Sequence, residues 1–362
     1  MKVALVLFAI LISSPATWSQ SMNGTKALKE LLGKAIFLDT NLSEPAGQAC
    51  ASCHDPKHGF KGNGDPQVAV VGGAVAGRSG NRNPPSAAYA FASPEPGYRL
   101  IDDEQVYVGG QFWDGRAASL ADQAKGPFLN PVEMNNPDRA SVVRKVCGSN
   151  YGLLFKLAYG FRLCSGSSAV PDAYDAIADA IAVFERSSDM NSFSSRYDRY
   201  LAGKLALTDK EQAGLQLFEG KAKCAGCHPS GRRSPFTDFT YDNLGIPKNL
   251  THEATKGAPV DHGLGERLGP QENGRFKVST LRNIAIAPPY GHNGYFQTLK
   301  ELVHFYNTRD VASEKWPAPE VDENVNRDEL GHLGLTAEEE DAIVSFLEAL
   351  TDQKPFFNPF GE

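Results

Sequence analysis

Two short stretches of one kind constrain this chain more than anything else in it: Cys50-Ala51-Ser52-Cys53-His54 and Cys224-Ala225-Gly226-Cys227-His228. Each reads C-x-x-C-H, the attachment motif of a c-type haem. In that motif the two cysteines add to the vinyl groups as thioethers and the histidine becomes the proximal iron ligand. A structural zinc site would bring its cysteine pairs closer together, and a redox C-x-x-C has no use for the adjacent histidine. The spacing therefore predicts two covalent haem c groups.

The start of the chain says where such groups would be attached. Met1 and Lys2 precede an apolar run from Val3 to Ile12, and small residues follow up to Ser19. This pattern reads as a signal peptide over residues 1–19, cleaved after Ser19. The apolar run is too short to span a bilayer, and no later stretch is long enough. A soluble, exported protein of the bacterial periplasm is expected, with no membrane contact after cleavage. The formal charge of the whole chain is -7, and losing Lys2 moves it to -8. That sign argues against nucleic acid as a partner. Of the six cysteines, Cys147 and Cys164 are left over. In an oxidising compartment they are expected to pair.

An internal repeat organises the rest. Leu32-Gly33-Lys34-Ala35-Ile36-Phe37 precedes the first haem motif, and Leu217-Phe218-Glu219-Gly220-Lys221-Ala222 precedes the second. Both read as the end of a helix running into a haem loop. The first helix is expected over Thr25 to Leu38, with Leu28, Leu31, Leu32 and Ile36 at helical spacing. The second opens at Thr208 with Glu211 three residues on, a capping box. An amphipathic helix over Asp172 to Arg186 carries Ile177, Ile181 and Phe184 on one face. Another capped helix, marked by Thr336 and Glu339, carries Ile343, Phe346, Leu347 and Leu350. The junction falls at Gly203 to Thr208. Stretches 59–103 and 229–283 are rich in Gly, Pro and Asn and read as long irregular connections. The expectation is an all-α protein of two tandem cytochrome c-like domains, residues 20–204 and 205–362, each with one covalent haem c.

What sits opposite each proximal histidine separates an enzyme from an electron carrier. After His54 the nearest histidine is His58, too close to reach the other face of the ring, and the next is His228. Met134 or a distant histidine remains as an alternative to an open sixth position. For the second haem, methionine is excluded within its own domain, because Met1, Met22, Met134 and Met190 all precede Cys224. His252, His262, His292, His304, His332 and several tyrosines stay open.

At these residues the chain resembles a known family. The tandem motifs, Gly109-Gly110-Gln111-Phe112-Trp113-Asp114-Gly115-Arg116, Leu129-Asn130-Pro131-Val132-Glu133-Met134, Gly274-Arg275-Phe276-Lys277-Val278 and Pro289-Tyr290-Gly291-His292-Asn293-Gly294 resemble bacterial dihaem cytochrome c peroxidases, most closely the MauG branch. The resemblance covers nearly all of the mature chain.

It implies that His54 is the proximal ligand of the peroxide-binding haem, with no distal histidine. It implies that Tyr306, at the position where ordinary members carry a methionine, ligates the second iron opposite His228. It makes Trp113 the tryptophan between the haems and Glu133 a distal carboxylate that moves the protons of bound peroxide, with Gln123 and Pro127 beside it. It assigns a calcium ion to Asn83 and the main-chain oxygens of Ala287 and Pro289, an oxygen-only donor set that suits Ca2+. His292 is expected to make a structural hydrogen bond. One departure stands out: the surface tryptophan of MauG-type proteins just before the second motif is replaced here by Lys221-Ala222-Lys223, and the mature chain keeps only Trp113 and Trp316.

The activity implied is a hydrogen-peroxide-dependent oxidase of MauG type that forms a bis-Fe(IV) state and oxidises Trp or Tyr residues of a periplasmic partner protein. The products would be a tryptophan tryptophylquinone or a kynurenine. The alternative is a peroxidase fed by a small cytochrome as redox partner.

Overall fold

The computed structural model describes residues 15–354, with side chains from residue 25 onward. Among the described residues, nine helices of six or more residues carry the architecture. They are α1 (Pro15–Leu38), α2 (Leu120–Leu129), α3 (Arg139–Gly148), α4 (Gly152–Tyr159), α5 (Val170–Glu185), α6 (Arg196–Leu201), α7 (Asp209–Glu219), α8 (Leu299–Thr308) and α9 (Ala337–Glu348). Strands among the described residues are few. β1 (Gly97–Ile101) and β2 (Glu104–Val108) form an antiparallel hairpin, and β3 (Tyr241–Asp242) pairs antiparallel with β4 (Phe276–Lys277).

The repeat is visible in how the helices cross. α1 packs on α5, and α7 packs on α9. At each crossing a glycine lets the backbones meet. A Cβ at Gly33 would overlap the Ala180 carbonyl and crowd Phe184, and a Cβ at Gly214 would overlap the Ala342 carbonyl and crowd Phe346. One turn later an aromatic ring closes each crossing. Phe37 lies 5.4 Å from Phe184 and 6.1 Å from Phe60, while Phe218 lies 5.2 Å from Phe346 and 6.1 Å from Phe236. Two separate apolar cores grow around these clusters. The structure corrects the register of the repeat. Leu32–Phe37 matches Ala213–Phe218, not Leu217–Ala222, because twelve residues separate Phe37 from Cys50 and only five separate Phe218 from Cys224.

Most expected elements form, with shifted ends. α1 begins ten residues before Thr25. Within it Leu32 and Ile36 are buried but Leu31 is 42% exposed. The helix expected from Asp172 starts at Val170, with Pro171 in its first turn, where the missing N–H costs nothing. Both capping boxes, Thr208/Glu211 and Thr336/Glu339, are present. A disulfide joins Cys147 in α3 to Cys164 beyond α4. The stretch 59–103 is not wholly irregular, since it ends in β1. The turn to β2 uses Asp102 and Asp103, both with positive φ (48° and 66°), which suits a two-residue hairpin. Tyr98 and Leu100 on β1 are exposed, so the strand has no core-facing alternation to give it away. The expected signal segment falls largely on residues 1–14, outside the described residues. No described helix is long and apolar enough to cross a membrane.

Buried charge lies where the two cores meet, with Arg282 holding Asp198 of α6, a helix whose Tyr197 belongs to the second core. Arg282, 1% exposed, donates to both carboxylate oxygens of Asp198 at 2.7 and 2.9 Å and lies over the rings of Tyr89, Phe193 and Phe236. The Tyr89 hydroxyl donates to Asp352 at 2.6 Å, just beyond α9. Asp352 also accepts from Ser194 N–H and from Asn283. Arg82 donates to Asp114 and to Asp261, both at 2.6 Å.

Candidate haem centres and the residues between them

Each C-x-x-C-H motif opens into a cavity. The first is lined by Cys50, Cys53 and His54, the second by Cys224, Cys227 and His228. Both histidines are held alike. His54 Nδ1 lies 3.2 Å from the Phe60 carbonyl oxygen and His228 Nδ1 lies 2.7 Å from that of Phe236. A carbonyl only accepts, so Nδ1 carries the proton and Nε2 keeps its lone pair for a metal. Phe60 and Phe236 both adopt positive φ (58° and 54°), which belongs to the same repeat. Burial keeps both imidazoles neutral, lowering His54 and bringing His228 down to about 4. Burial raises Cys50, Cys53, Cys224 and Cys227 to about 12. A redox dithiol needs the opposite shift.

The cavities also fit the cofactor in their polar atoms. Gln48 Oε1 and Glu185 Oε2 in the first cavity, and His292 Nε2 in the second, are buried without a hydrogen-bond partner. Buried polar atoms rarely go unpaired, so these mark space meant for a polar ligand edge. The expectation for His292 is corrected here. Its ring stacks on Phe276 at 3.7 Å and Nε2 forms no hydrogen bond.

In the first cavity Gln123 and Pro127 of α2 line the same space as Glu133 and Met134. Pro127 sits near the C-terminal end of α2, and Met134 N–H bonds its carbonyl, folding the 130–134 turn back over the helix end. Desolvation raises the Glu133 carboxyl above its ordinary value, although Arg116 opposes this. A desolvated carboxyl beside a bound ligand can both take and return a proton. Among the described residues, no histidine other than His54 lines this cavity. His58 turns away and pairs with Asp55 at 2.9 Å.

In the second cavity one face of α8 supplies Leu299, Leu302, Val303 and Tyr306, a spacing of three, four and seven residues. His304 falls on another face, bonded to Glu340 at 2.8 Å. Of the candidate histidines only His292 lines the cavity. Desolvation raises the Tyr306 phenol.

Trp113 lines both cavities. Its indole N–H donates to the Asn83 carbonyl at 2.7 Å, and its own carbonyl accepts from Lys277 N–H at 2.9 Å. The groups assigned to calcium are also assembled, but they do not fit an ion. Lys61, 6% exposed, donates to the Ala287 and Pro289 oxygens, and Asn83 turns its NH2 toward Pro289. Sequence reasoning missed Lys61, whose partners lie more than 200 residues away.

Comparison with known proteins agrees with this geometry. The family model described as di-haem cytochrome c peroxidase matches residues 27–206. The chain is 38% identical to the methylamine utilization protein MauG of Paracoccus denitrificans over 96% of this chain and 94% of that one. It superposes on the diheme peroxidase BthA of Burkholderia thailandensis with a TM-score of 0.78 at 30% identity, covering 96% and 89% of the two chains. It superposes on a MauG-like protein associated with microbial copper homeostasis with a TM-score of 0.71 at 28% identity, covering 92% and 91%. Relatives of this kind are oxidoreductases that carry two haem c groups. The chain belongs to the di-haem cytochrome c peroxidase family.

Proposed function

We propose that this enzyme is a periplasmic, peroxide-dependent oxidase of MauG type, which withdraws electrons from Trp or Tyr side chains of a docked protein. Residues 20–204 and 205–362 would form its two cytochrome c-like domains, exported by the segment 1–19. The observation that carries the reading is Tyr306, on the cavity-facing stripe of α8, in a cavity that no methionine lines among the described residues. An anionic oxygen ligand favours high oxidation states and low potential. That suits an oxidant generator and makes a poor acceptor from ordinary cytochromes. When bound, the haems supply peroxide reduction and storage of two oxidising equivalents.

The chain's own residues do the rest. Cys50, Cys53, Cys224 and Cys227 anchor the groups, and His54 and His228 offer Nε2 from rings fixed by the Phe60 and Phe236 carbonyls. Glu133, desolvated, takes the proton from the proximal peroxide oxygen and returns it to the leaving one, with Gln123 and Pro127 shaping the space beside it. Trp113, which borders both cavities, is an oxidisable ring through which one equivalent passes between them. The relatives' settings, methylamine utilization and copper homeostasis, suggest maturation of a partner to a tryptophan tryptophylquinone or a kynurenine.

The second reading is a peroxide-scavenging peroxidase fed by a small cytochrome, and the relationship to BthA favours it. Low-temperature EPR on the ferric protein, before and after one equivalent of peroxide, tests the enzyme reading. One high-spin and one low-spin signal, both lost without an organic radical signal, support it. Two low-spin signals indifferent to peroxide leave an electron carrier. Rapid steady turnover with a reduced small cytochrome selects the peroxidase.

A further inference from the structure

The family resemblance assigns a calcium ion between the halves, and the residues at that place disagree with it. Lys61 is buried, and its Nζ donates to the main-chain oxygens of Ala287 at 2.7 Å and Pro289 at 2.6 Å. These are two of the oxygens that would hold the ion. The third, Asn83 Oδ1, is buried without a partner, while Asn83 Nδ2 donates to Pro289 at 2.8 Å and Gly291 at 3.2 Å. Calcium takes six to eight oxygens at about 2.3–2.6 Å. Here a nitrogen lies almost at that distance from both carbonyls, and the amide presents its N–H edge to one of them. The ion's space and its lone pairs are already taken. An amine in either protonation form has the two N–H donors these oxygens accept, so the arrangement does not depend on its charge.

We propose that the Lys61 amino group replaces the divalent cation at this junction, and that the enzyme assembles and works without calcium. The replacement matters because of what surrounds it. The carbonyl of Phe60, the preceding residue, orients His54. Asn83, which shares Pro289 with Lys61, accepts the Trp113 indole N–H on its own carbonyl. One side chain therefore fixes the 287–289 segment of the second half against the proximal loop of the first and against the ring between the cavities. The inference holds for oxidase and peroxidase alike, so its failure is distinguishable from failure of either.

The test is metal analysis of the holoenzyme by mass spectrometry after dialysis against EGTA, with EPR and thermal unfolding before and after. The expected result is well under one calcium per chain, and spectra and melting midpoint unmoved by EGTA or by added CaCl2. One calcium retained per chain, or a haem signal that shifts on chelation, overturns the proposal. The variant Lys61→Ser empties the position and frees the Asn83 amide to turn. It should take up about one calcium, with a melting midpoint that rises as calcium is added, whereas the wild-type midpoint stays fixed. A folded Lys61→Ser protein indifferent to calcium would also overturn the proposal. Should the variant not fold, the wild-type metal content still decides.

Discussion

At the scale of single residues, the site divides into groups whose neighbours are local and groups whose neighbours come from far along the chain. The C-x-x-C-H motifs are local, and their chemistry is legible from spacing alone. Glu133 was legible through its motif, but its raised pKa follows from desolvation inside a cavity that only the folded chain makes. Glu133→Gln keeps the shape and removes the base. The rate of peroxide reaction should fall by about 100- to 10,000-fold with the ferric absorption spectrum unchanged, as stopped-flow absorbance would report. Tyr306→Met should raise the potential of the second haem, since a thioether favours the reduced iron where a phenolate favours the oxidised one. A redox titration in which the two proteins overlay would remove Tyr306 from the iron. Lys61 was illegible for a plain reason: nothing in the local sequence ties it to carbonyls 226 and 228 positions away.

At the scale of elements, the sequence pattern identified α5, α7 and α9, and the capping boxes of α7 and α9, while the start of α5 lay two residues before Asp172. It misjudged the register of the repeat, since a glycine that permits close approach leaves no hydrophobic signal. That role is now assigned to Gly33 and Gly214, each under a carbonyl of the crossing helix. Gly33→Ala and Gly214→Ala should each destabilise by about 1–3 kcal/mol, by forcing the helices apart. Because the crossings belong to separate cores, calorimetry should show each substitution acting mainly on its own half. Equal effects of both on one transition would contradict that separation. α8 is the more instructive helix. Its sequence His304-Phe305-Tyr306-Asn307 offered two plausible ligands, and the turn of the helix chose between them, sending His304 to Glu340 and Tyr306 to the cavity.

For the molecule as a whole, a few buried polar contacts lie where the two cores meet, none foreseen in the sequence, since charge pairs carry no periodicity. Removing the arginine of the Arg282–Asp198 pair leaves a carboxylate without its partner. Arg282→Met should cost about 3–5 kcal/mol in chemical denaturation. Burial raises the Asp198 carboxyl, but Arg282 and Ser195 outweigh it, so it sits below its ordinary value of 3.8. The unfolded chain then binds this proton more readily. The pair's contribution is complete above pH 3.8 and is lost as pH falls through the lower folded value. Asp198→Asn should flatten the acid limb of the stability curve relative to wild type.

Asp352 accepts from Tyr89, Ser194 and Asn283, three positions spread over much of the chain, and it does so from the segment just past α9. A nascent polypeptide leaves the ribosome N-terminus first. Until residue 352 arrives, the Tyr89 hydroxyl of the first half lacks this acceptor. A chain cut short before that carboxylate would leave Tyr89, Ser194 and Asn283 without their shared acceptor, and limited proteolysis should then open the seam faster than in the full-length protein.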